Sequence, residues 1–397
     1  MQELYDTHID YISNLHGTFR RKLLDQAPWD ERLLAIKGAR GVGKSTLILQ
    51  HISERFGTSS KALYVSMDDM ILRGHSILAI AEHHTNRGGT HLYIDEIHKY
   101  PNWSQELKNI YDRLKKLSVV VTSSSMLQLY KSNNDLSRRM ISVEMRGLSF
   151  REYLQIEQGL QLDVLGLKEI LSDHVDISLA LTEKVNILDH FSDYQRYGYY
   201  PFYLESKDTY HTKLINITNL ILDVDLPYVL GVNVHNIFKI KKLLSHLARE
   251  VPFQPNVTKL AGSLELTRGT LNQYIHYLQQ ADLLSLLTDA GKSYSSISKP
   301  EKIYLQNPNL SYAIAPDNVN KGNLRETFFF NQVGHKHDVH YSKQGDFLID
   351  ETYTFEIGGQ SKNKKQVWDT PDSYIAADDI VHGANNKIPI WLFGFLY

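Results

Sequence analysis

Arg32-Leu-Leu-Ala-Ile-Lys37 runs directly into Gly38-Ala39-Arg40-Gly41-Val42-Gly43-Lys44-Ser45-Thr46, and this junction decides the fold. The first six residues form a short apolar run of the kind that makes a buried strand. The next eight match the pattern G-x-x-x-x-G-K-[ST]. Leu47-Ile-Leu-Gln-His-Ile52 then carries on with helical spacing. Strand, glycine loop and helix together make a loop whose backbone N–H groups can cradle phosphates. Gly38, Gly41 and Gly43 allow the tight turns, and the helix opening near Lys44 directs its positive end at the same anion.

The expected ligand is ATP or ADP with Mg2+, held by Gly38, Ala39, Arg40, Gly41, Val42, Gly43, Lys44, Ser45 and Thr46. Lys44 is expected at the β- and γ-phosphates, and the Ser45 hydroxyl on the metal. His91-Leu-Tyr-Ile94 is a second strand-like run and ends in Asp95-Glu96. An acid pair at a strand end beside such a loop predicts Asp95 as the second metal residue, acting through water, and Glu96 as the group that polarises the attacking water. A further run, Ser118-Val-Val-Val121, ends in Thr122-Ser-Ser-Ser125. Thr122 or Ser123 there could touch the terminal phosphate or the water, although four small polar residues also make an ordinary turn. Arg138-Arg139 follows, and Arg139 is a candidate to neutralise transition-state charge on its own nucleotide or a neighbour's. The candidate catalytic set is thus Lys44, Glu96 and Arg139.

Outward from these motifs the alternation continues. Ala62-Leu-Tyr-Val-Ser66 is strand-like, residues 103–117 carry apolar positions at helical spacing, and Ser142-Val-Glu-Met-Arg146 suits a last strand. Ser149-Phe-Arg-Glu152 has the form of a capping box. Strands alternating with helices predict an α/β fold with a parallel sheet covered on both faces. Farther on, residues 164–248 are helical in texture, interrupted by Arg196-Tyr-Gly-Tyr-Tyr-Pro201, whose aromatics are expected to pack on the nucleotide-binding core. Residues 257–261 and 267–278 outline a helix-turn-helix, and Leu283-Leu-Ser-Leu-Leu287 adds a strand, as in a winged variant. Arg268, Asn272 and Gln273 on its second helix could bond to bases. One firm positive charge is little for a phosphate backbone, so internal packing or a protein contact is the commoner use. After Pro300 the chain turns strand-rich, with Lys302-Ile-Tyr-Leu305 and Tyr353-Thr-Phe-Glu-Ile357. The expected organisation is 1–160 for the P-loop domain, 161–240 for a helical lid, 241–298 for a winged helix and 299–397 for a small C-terminal α/β module.

The totals restrict the partners. With 397 residues, 42% apolar and 22% charged, the chain is a folded protein with room for two or three cores. A net charge of −2 carries no global bias toward nucleic acid or anionic membrane. The absence of cysteine excludes disulfides, thiolate metal sites and cysteine nucleophiles. The start Met1-Gln-Glu-Leu-Tyr-Asp lacks the basic and apolar segments of a secretory signal, so a cytoplasmic, membrane-free protein is expected.

These motifs, in this order, resemble bacterial and archaeal AAA-family ATPases that carry a C-terminal domain of unknown function with a restriction-endonuclease-like fold. Residues 38–46 are similar to their G-P-R-x-V-G-K-T-T loop, and Tyr93-Ile-Asp-Glu-Ile-His-Lys-Tyr-Pro-Asn-Trp103 to their acid-pair stretch. Leu136-Ser-Arg-Arg139, Leu148-Ser-Phe-Arg-Glu-Tyr-Leu154 and Tyr197-Gly-Tyr-Tyr-Pro201 look like their L-S-G-R, L-S-F-x-E-Y-L and Y-G-G-F-P signatures. The resemblance implies a PD-(D/E)xK-like C-terminal site. Glu326, Asp346 and Glu356 fit its three carboxylates, but Gly358 stands at the lysine position and Gln344 replaces an acid. Lys362, Lys364 or Lys365 could substitute; as it stands the module is degenerate, and binding suits it better than cleavage. The expected function is an ATPase acting as a nucleotide-driven switch or adaptor, alone or as a homo-oligomer, with a protein partner. The alternative is an ATP-gated DNA-binding protein or nuclease.

Overall fold

The computed structural model describes all residues except 16, 18, 73, 124–135, 137, 228–233, 251, 254–256, 291–299 and 363–370. The chain divides into two compact units, Met1–Gly147 and Leu148–Tyr397.

In the first unit, helices α1 (Gln2–Ser13) and α2 (Leu23–Gln26) precede strand β1 (Leu33–Lys37). Then follow α3 (Lys44–Phe56), β2 (Ala62–Ser66), α4 (Ile77–Asn86), β3 (His91–Asp95), α5 (Trp103–Arg113), β4 (Ser118–Ser123) and β5 (Ile141–Glu144). The five strands form one sheet in the order β2-β3-β4-β1-β5, and every pairing is parallel. All five β1 residues are buried, which is why its sequence is continuous rather than alternating. Helix α5 turns Trp103, Leu107 and Ile110 inward, an i, i+4, i+7 face, onto a core with Leu92, Ile94, Val119 and Val121. It ends at Arg113, four residues short of the periodic run, because Leu114 has left helical geometry. Strand β2 lies at the sheet edge, where the Tyr64 N–H would lack a partner; His8 of α1 accepts it at Nδ1 over 3.1 Å. Burial, with His84 adding to it, pushes His8 down to about 4, so the imidazole stays neutral and able to accept.

The second unit opens with α6 (Phe150–Gln158), closed by the expected capping box: Ser149 Oγ accepts from Glu152 N, and Glu152 Oε2 accepts from Ser149 N, both at 3.1 Å. An expected P-loop domain of residues 1–160 includes this helix. It belongs to the second unit, where Ser149 Oγ and Arg151 Nε donate to the Tyr397 carbonyl at 2.8 and 2.9 Å. Helices α7 (Leu167–Thr182), α8 (Ile187–Asp193), α9 (Tyr210–Leu220), α10 (Val234–Arg249), α11 (Val257–Ser263) and α12 (Arg268–Gln280) follow. Thr267 caps α12 by accepting the Thr270 N–H at 3.1 Å. Strands β6 (Leu284–Leu287) and β7 (Lys302–Leu305) pair antiparallel, and Phe253 bridges to Ile303 on the far side of β7. Residues 302–305, assigned from sequence to the C-terminal module, thus complete a hairpin with the element before it.

The aromatic turn also differs from expectation. Asn309 Oδ1 accepts from the Tyr199 N–H at 2.9 Å, Gln306 donates to the Tyr199 hydroxyl and Asn307 to that of Tyr200. These partners lie on and before α13 (Pro308–Ile314), within the second unit, so the tyrosines serve its own polar core. Helix α14 (Lys321–Val333) leads into β8 (Val339–Tyr341), β9 (Phe347–Ile349), β10 (Tyr353–Gly358), β11 (Ser373–Ala377) and β12 (Lys387–Pro389). Their sheet runs β12-β11-β10-β9-β8, with β10, β11 and β12 parallel and β9 antiparallel to both neighbours. Phe329, Phe347, Phe355 and Phe393 fill the space between α14 and this sheet. Among the described residues no helix is long and apolar enough to cross a membrane.

Candidate nucleotide site

The sheet order places β4 between β1 and β3, so the carboxyl ends of three strands meet at one edge. Register pairs Lys37 with Ser123, Ile36 with Thr122, and Ile94 with Val121. From β1 the chain turns through the glycine loop into α3. Gly38 has no substitute there, since a Cβ on it would sit 2.0 Å from the Met145 carbonyl oxygen. Gly41 and Gly43 have φ of 88° and 98°, the left-handed region that side chains avoid. Lys44 is buried and folded back over the loop, its ammonium donating to the carbonyls of Gly38 and Ala39 at 2.9 Å each.

Beneath the loop, Asp95 is held by three hydroxyls. Ser45 Oγ donates to its Oδ2 at 2.6 Å, Tyr64 to the same oxygen at 2.9 Å, and Thr122 Oγ1 to Oδ1. All three donors are neutral, so the carboxylate is oriented without losing its charge. Burial and the nearby Asp95 charge both raise the Tyr64 pKa, which keeps that phenol a donor. Thr122 Oγ1 also accepts the Glu96 N–H at 3.0 Å, so one hydroxyl fixes both members of the acid pair.

Glu96 has left-handed backbone, φ 53° and ψ 41°, costing about 1–2 kcal/mol for a residue with a Cβ. The turn swings its carboxylate away from that of Asp95 and into a basic surround. His98 Nε2 lies 3.4 Å from Oε2, Arg40 Nη2 3.9 Å and Lys99 Nζ 4.0 Å. His98 is neutral: burial, followed by the positive charges of Lys99, Arg40 and Lys44, pushes it down to about 3. Its Nδ1 is 3.3 Å from Ser123 Oγ, linking the tip of β4 to the Glu96 carboxylate.

Residues 38–46, Asp95, Glu96 and Thr122 thus come together, as does Ser123; Ser124 and Ser125 lie outside the described residues. Arg139 does not join them. It forms a two-pronged ion pair with Asp112 at 3.1 and 3.3 Å, near the end of α5. Helix α5 returns the chain to the start of β4, and Arg139 stands two residues before the start of β5. It therefore lies at the opposite end of the strands from the loop, the length of β1 or roughly 16 Å away. Tyr64, His98 and Lys99 were not legible as site residues. Tyr64 sat inside an apolar strand, and the other two followed an acid pair in what passes for a charged turn.

A nucleotide with its metal would find a fitting donor set here: an ammonium, a hydroxyl paired with a carboxylate, and a helix start. The five-stranded parallel sheet with this loop matches the core of P-loop NTPases. Residues 30–154 match the family described as "AAA domain", and residues 188–320 match a domain of unknown function (DUF8612). The chain is similar to an uncharacterized protein of Methanocaldococcus jannaschii, 27% identical over 389 residues, 90% of this chain and 82% of that one. It is also similar to an uncharacterized Haemophilus influenzae protein, 22% identical over 91% of this chain and 89% of the relative. Among solved structures, AMPPCP-bound DnaA from Aquifex aeolicus is 15% identical, spanning 70% of this chain and 87% of that one, with a TM-score of 0.27. A likeness that faint carries nothing about function.

Proposed function

We propose that the first unit binds ATP with Mg2+ and hydrolyses it, and that the protein acts as a nucleotide-driven switch or adaptor. The observation that carries this reading is the Ser45–Asp95 hydrogen bond of 2.6 Å directly under a glycine loop that holds a buried lysine. A hydroxyl and a carboxylate at that separation are poised to share one hard cation. Mg2+ would supply charge neutralisation between the β- and γ-phosphates. Lys44 would exchange its two loop carbonyls for phosphate oxygens. Glu96 would orient the attacking water, with His98 and Arg40 holding its carboxylate. Thr122, already joined to both acids, would act as their common positioning group. Arg139 has a route only to a nucleotide bound by a second copy, and its pairing with Asp112 makes it a fold residue within one chain.

The test is nucleotide binding and turnover side by side. Lys44→Ala should lose binding, and Glu96→Gln should keep binding and lose hydrolysis. Tight ATP binding by the lysine variant would sink the assignment.

A second reading, an ATP-gated DNA-binding protein, draws on the α11–α12 turn followed by the β6–β7 hairpin and the Phe253–Ile303 bridge. These elements are compatible with a winged helix whose α12 would offer Arg268, Asn272 and Gln273. Retardation of duplex DNA that weakens steeply with salt, and ATP turnover stimulated by that DNA, would favour it. Turnover indifferent to DNA favours the switch.

A further inference from the structure

The phosphate loop is supported from behind by a buried cation that the nucleotide reading leaves without a role. Arg21, just before α2, donates to three carbonyls drawn from two distant stretches of chain. Its Nη1 reaches the Arg146 carbonyl at 2.6 Å and that of Val42 at 3.4 Å, and its Nη2 reaches Gly147 at 3.0 Å. Val42 lies inside the glycine loop. Arg146 and Gly147 follow β5 and close the first unit, at the point where the chain passes into the second.

Helix α3 sets Arg21 in place. Gln50 Nε2 donates to the Phe19 carbonyl at 3.0 Å, and Arg20 pairs with Glu54 at 2.9 Å and Asp25 at 2.6 Å. Gln50 and Glu54 stand one turn apart on α3, so the segment before α2 follows the helix that opens at the loop. Further ties join the same stretches. The Met145 N–H donates to the Lys37 carbonyl at 2.6 Å, and the Met145 carbonyl approaches Gly38 too closely for any side chain. Residues 145–147 are thus packed against the loop at its first residue, and Arg21 adds a tie to its fifth.

A trans peptide points its C=O and its N–H in opposite directions. A guanidinium that holds the Val42 carbonyl therefore also fixes the direction of the Gly43 N–H. It polarises that peptide as well, making the N–H a stronger donor. Backbone N–H groups of such a loop are the ones that receive phosphate. The guanidinium is moreover a rigid planar fork, so its hold on Val42 and its hold on Arg146 and Gly147 are not independent.

We propose that Arg21 is a positioning residue that couples phosphate in the loop to the peptide on which the first unit ends. The proposal rests on the nucleotide reading of that unit and names a regulation of the same site. Phosphate drawing on the Gly43 N–H makes the Val42 carbonyl a better acceptor, which tightens the fork on all three carbonyls. By linkage, whatever immobilises Arg146 and Gly147 raises nucleotide affinity by the same factor. Arg21 acts here through the backbone of the loop, not on the phosphates.

The Arg146–Gly147 bond is itself a trypsin site, and its carbonyl accepts from Arg21. The protease must capture that carbonyl, so cleavage requires Arg21 to let go and reports how often it does. The experiment is limited digestion of the full chain, with and without ADP, which fills the loop and is not turned over. Mass spectrometry follows the fragment that begins at Gly147, and calorimetry on the same samples measures ADP binding. In wild type, saturating ADP with Mg2+ should slow this cut about fivefold, more than it slows other tryptic cuts. Arg21→Met should be cut about tenfold faster than nucleotide-free wild type, bind ADP about tenfold more weakly, and gain no protection at saturation. Arg21→Lys keeps the charge without the fork, and should recover affinity but not protection; a loss of stability alone would not separate the two. Wild type that binds ADP yet is cut before Gly147 at an unchanged rate overturns the proposal and leaves the nucleotide reading standing, an arm that needs no variant. Wild type that binds neither ADP nor ATP overturns both. A folded Arg21→Met chain with wild-type affinity and wild-type protection overturns the proposal alone.

Discussion

Asp95 in the first unit and the Glu326–Asp346 pair in the second are both held by several donors, but their charges are treated oppositely. Asp95 is gripped by the hydroxyls of Ser45, Tyr64 and Thr122. Glu326 and Asp346 are gripped by the Lys302 ammonium. A hydroxyl orients an acid and leaves its charge for an incoming cation, whereas an ammonium orients and discharges it in the same contact. The first arrangement is ready to take up a metal-bound ligand and the second is self-contained. Counting acids in a sequence cannot separate the two, because the difference lies in who donates to them.

The largest effects should fall on the first cluster. Lys44→Ala should weaken ATP binding by roughly a hundredfold or more, measured by calorimetry with Mg2+ present. Glu96→Gln should lower turnover by about 10²–10⁴ with nearly unchanged ATP affinity. An equal loss of affinity would mean that Glu96 serves binding, and that the two acids of the pair are not divided in role.

The second cluster should show its character in stability. Glu326→Gln removes one acid from a buried lysine and should destabilise the second unit by about 3 kcal/mol in denaturant unfolding. Asp95→Asn should cost the first unit far less, because its donors are hydroxyls that can re-pair. Comparable losses at the two sites would remove the contrast.

Acid should separate the units further. His98 is depressed to about 3, and His8 and His51 to about 4, in each case chiefly by burial. The unfolded chain takes up these protons near pH 6.5, and the folded unit refuses them until far lower. Stability should therefore be highest above pH 6.5 and fall as pH drops toward 4, by up to about 1.4 kcal/mol per pH unit for each histidine. A melting temperature of the first unit that holds flat from pH 7 to 5 would contradict this. The smallest effect expected is that of Tyr64→Phe, which deletes one of three bonds to Asp95 and should cost about 1 kcal/mol in Mg2+-dependent nucleotide affinity.

The P-loop junction, the acid pair and the β4 tip were legible because each combines a strand-like run with a chemically constrained end. Local chemistry sufficed as well for the Ser149–Glu152 capping box and the Thr267 cap. What escaped depends on pairings distant in sequence. Residues 302–305 look like the first strand of a new module until their pairing with β6 is known. The tyrosines at 199 and 200 look like a surface-packing turn until Gln306, Asn307 and Asn309 are seen beside them. Arg139 sat the right distance along the chain from the acid pair, but the return of α5 carries it to the wrong end of the sheet. Lys302 carried no signal beyond being a lysine in an apolar strand.

The left-handed backbone at Glu96 gives the chain a way to decay. Glycine there would recover about 1–2 kcal/mol of conformational energy while surrendering the carboxylate. Asparagine, the next most tolerant residue in that region, would do so in part. A lineage under selection for nucleotide binding but not for turnover should therefore drift toward glycine or asparagine at this position and gain thermal resistance as it loses catalysis. In a set of relatives the residue that follows the counterpart of Asp95 would then separate the members that cycle from those that merely hold their nucleotide.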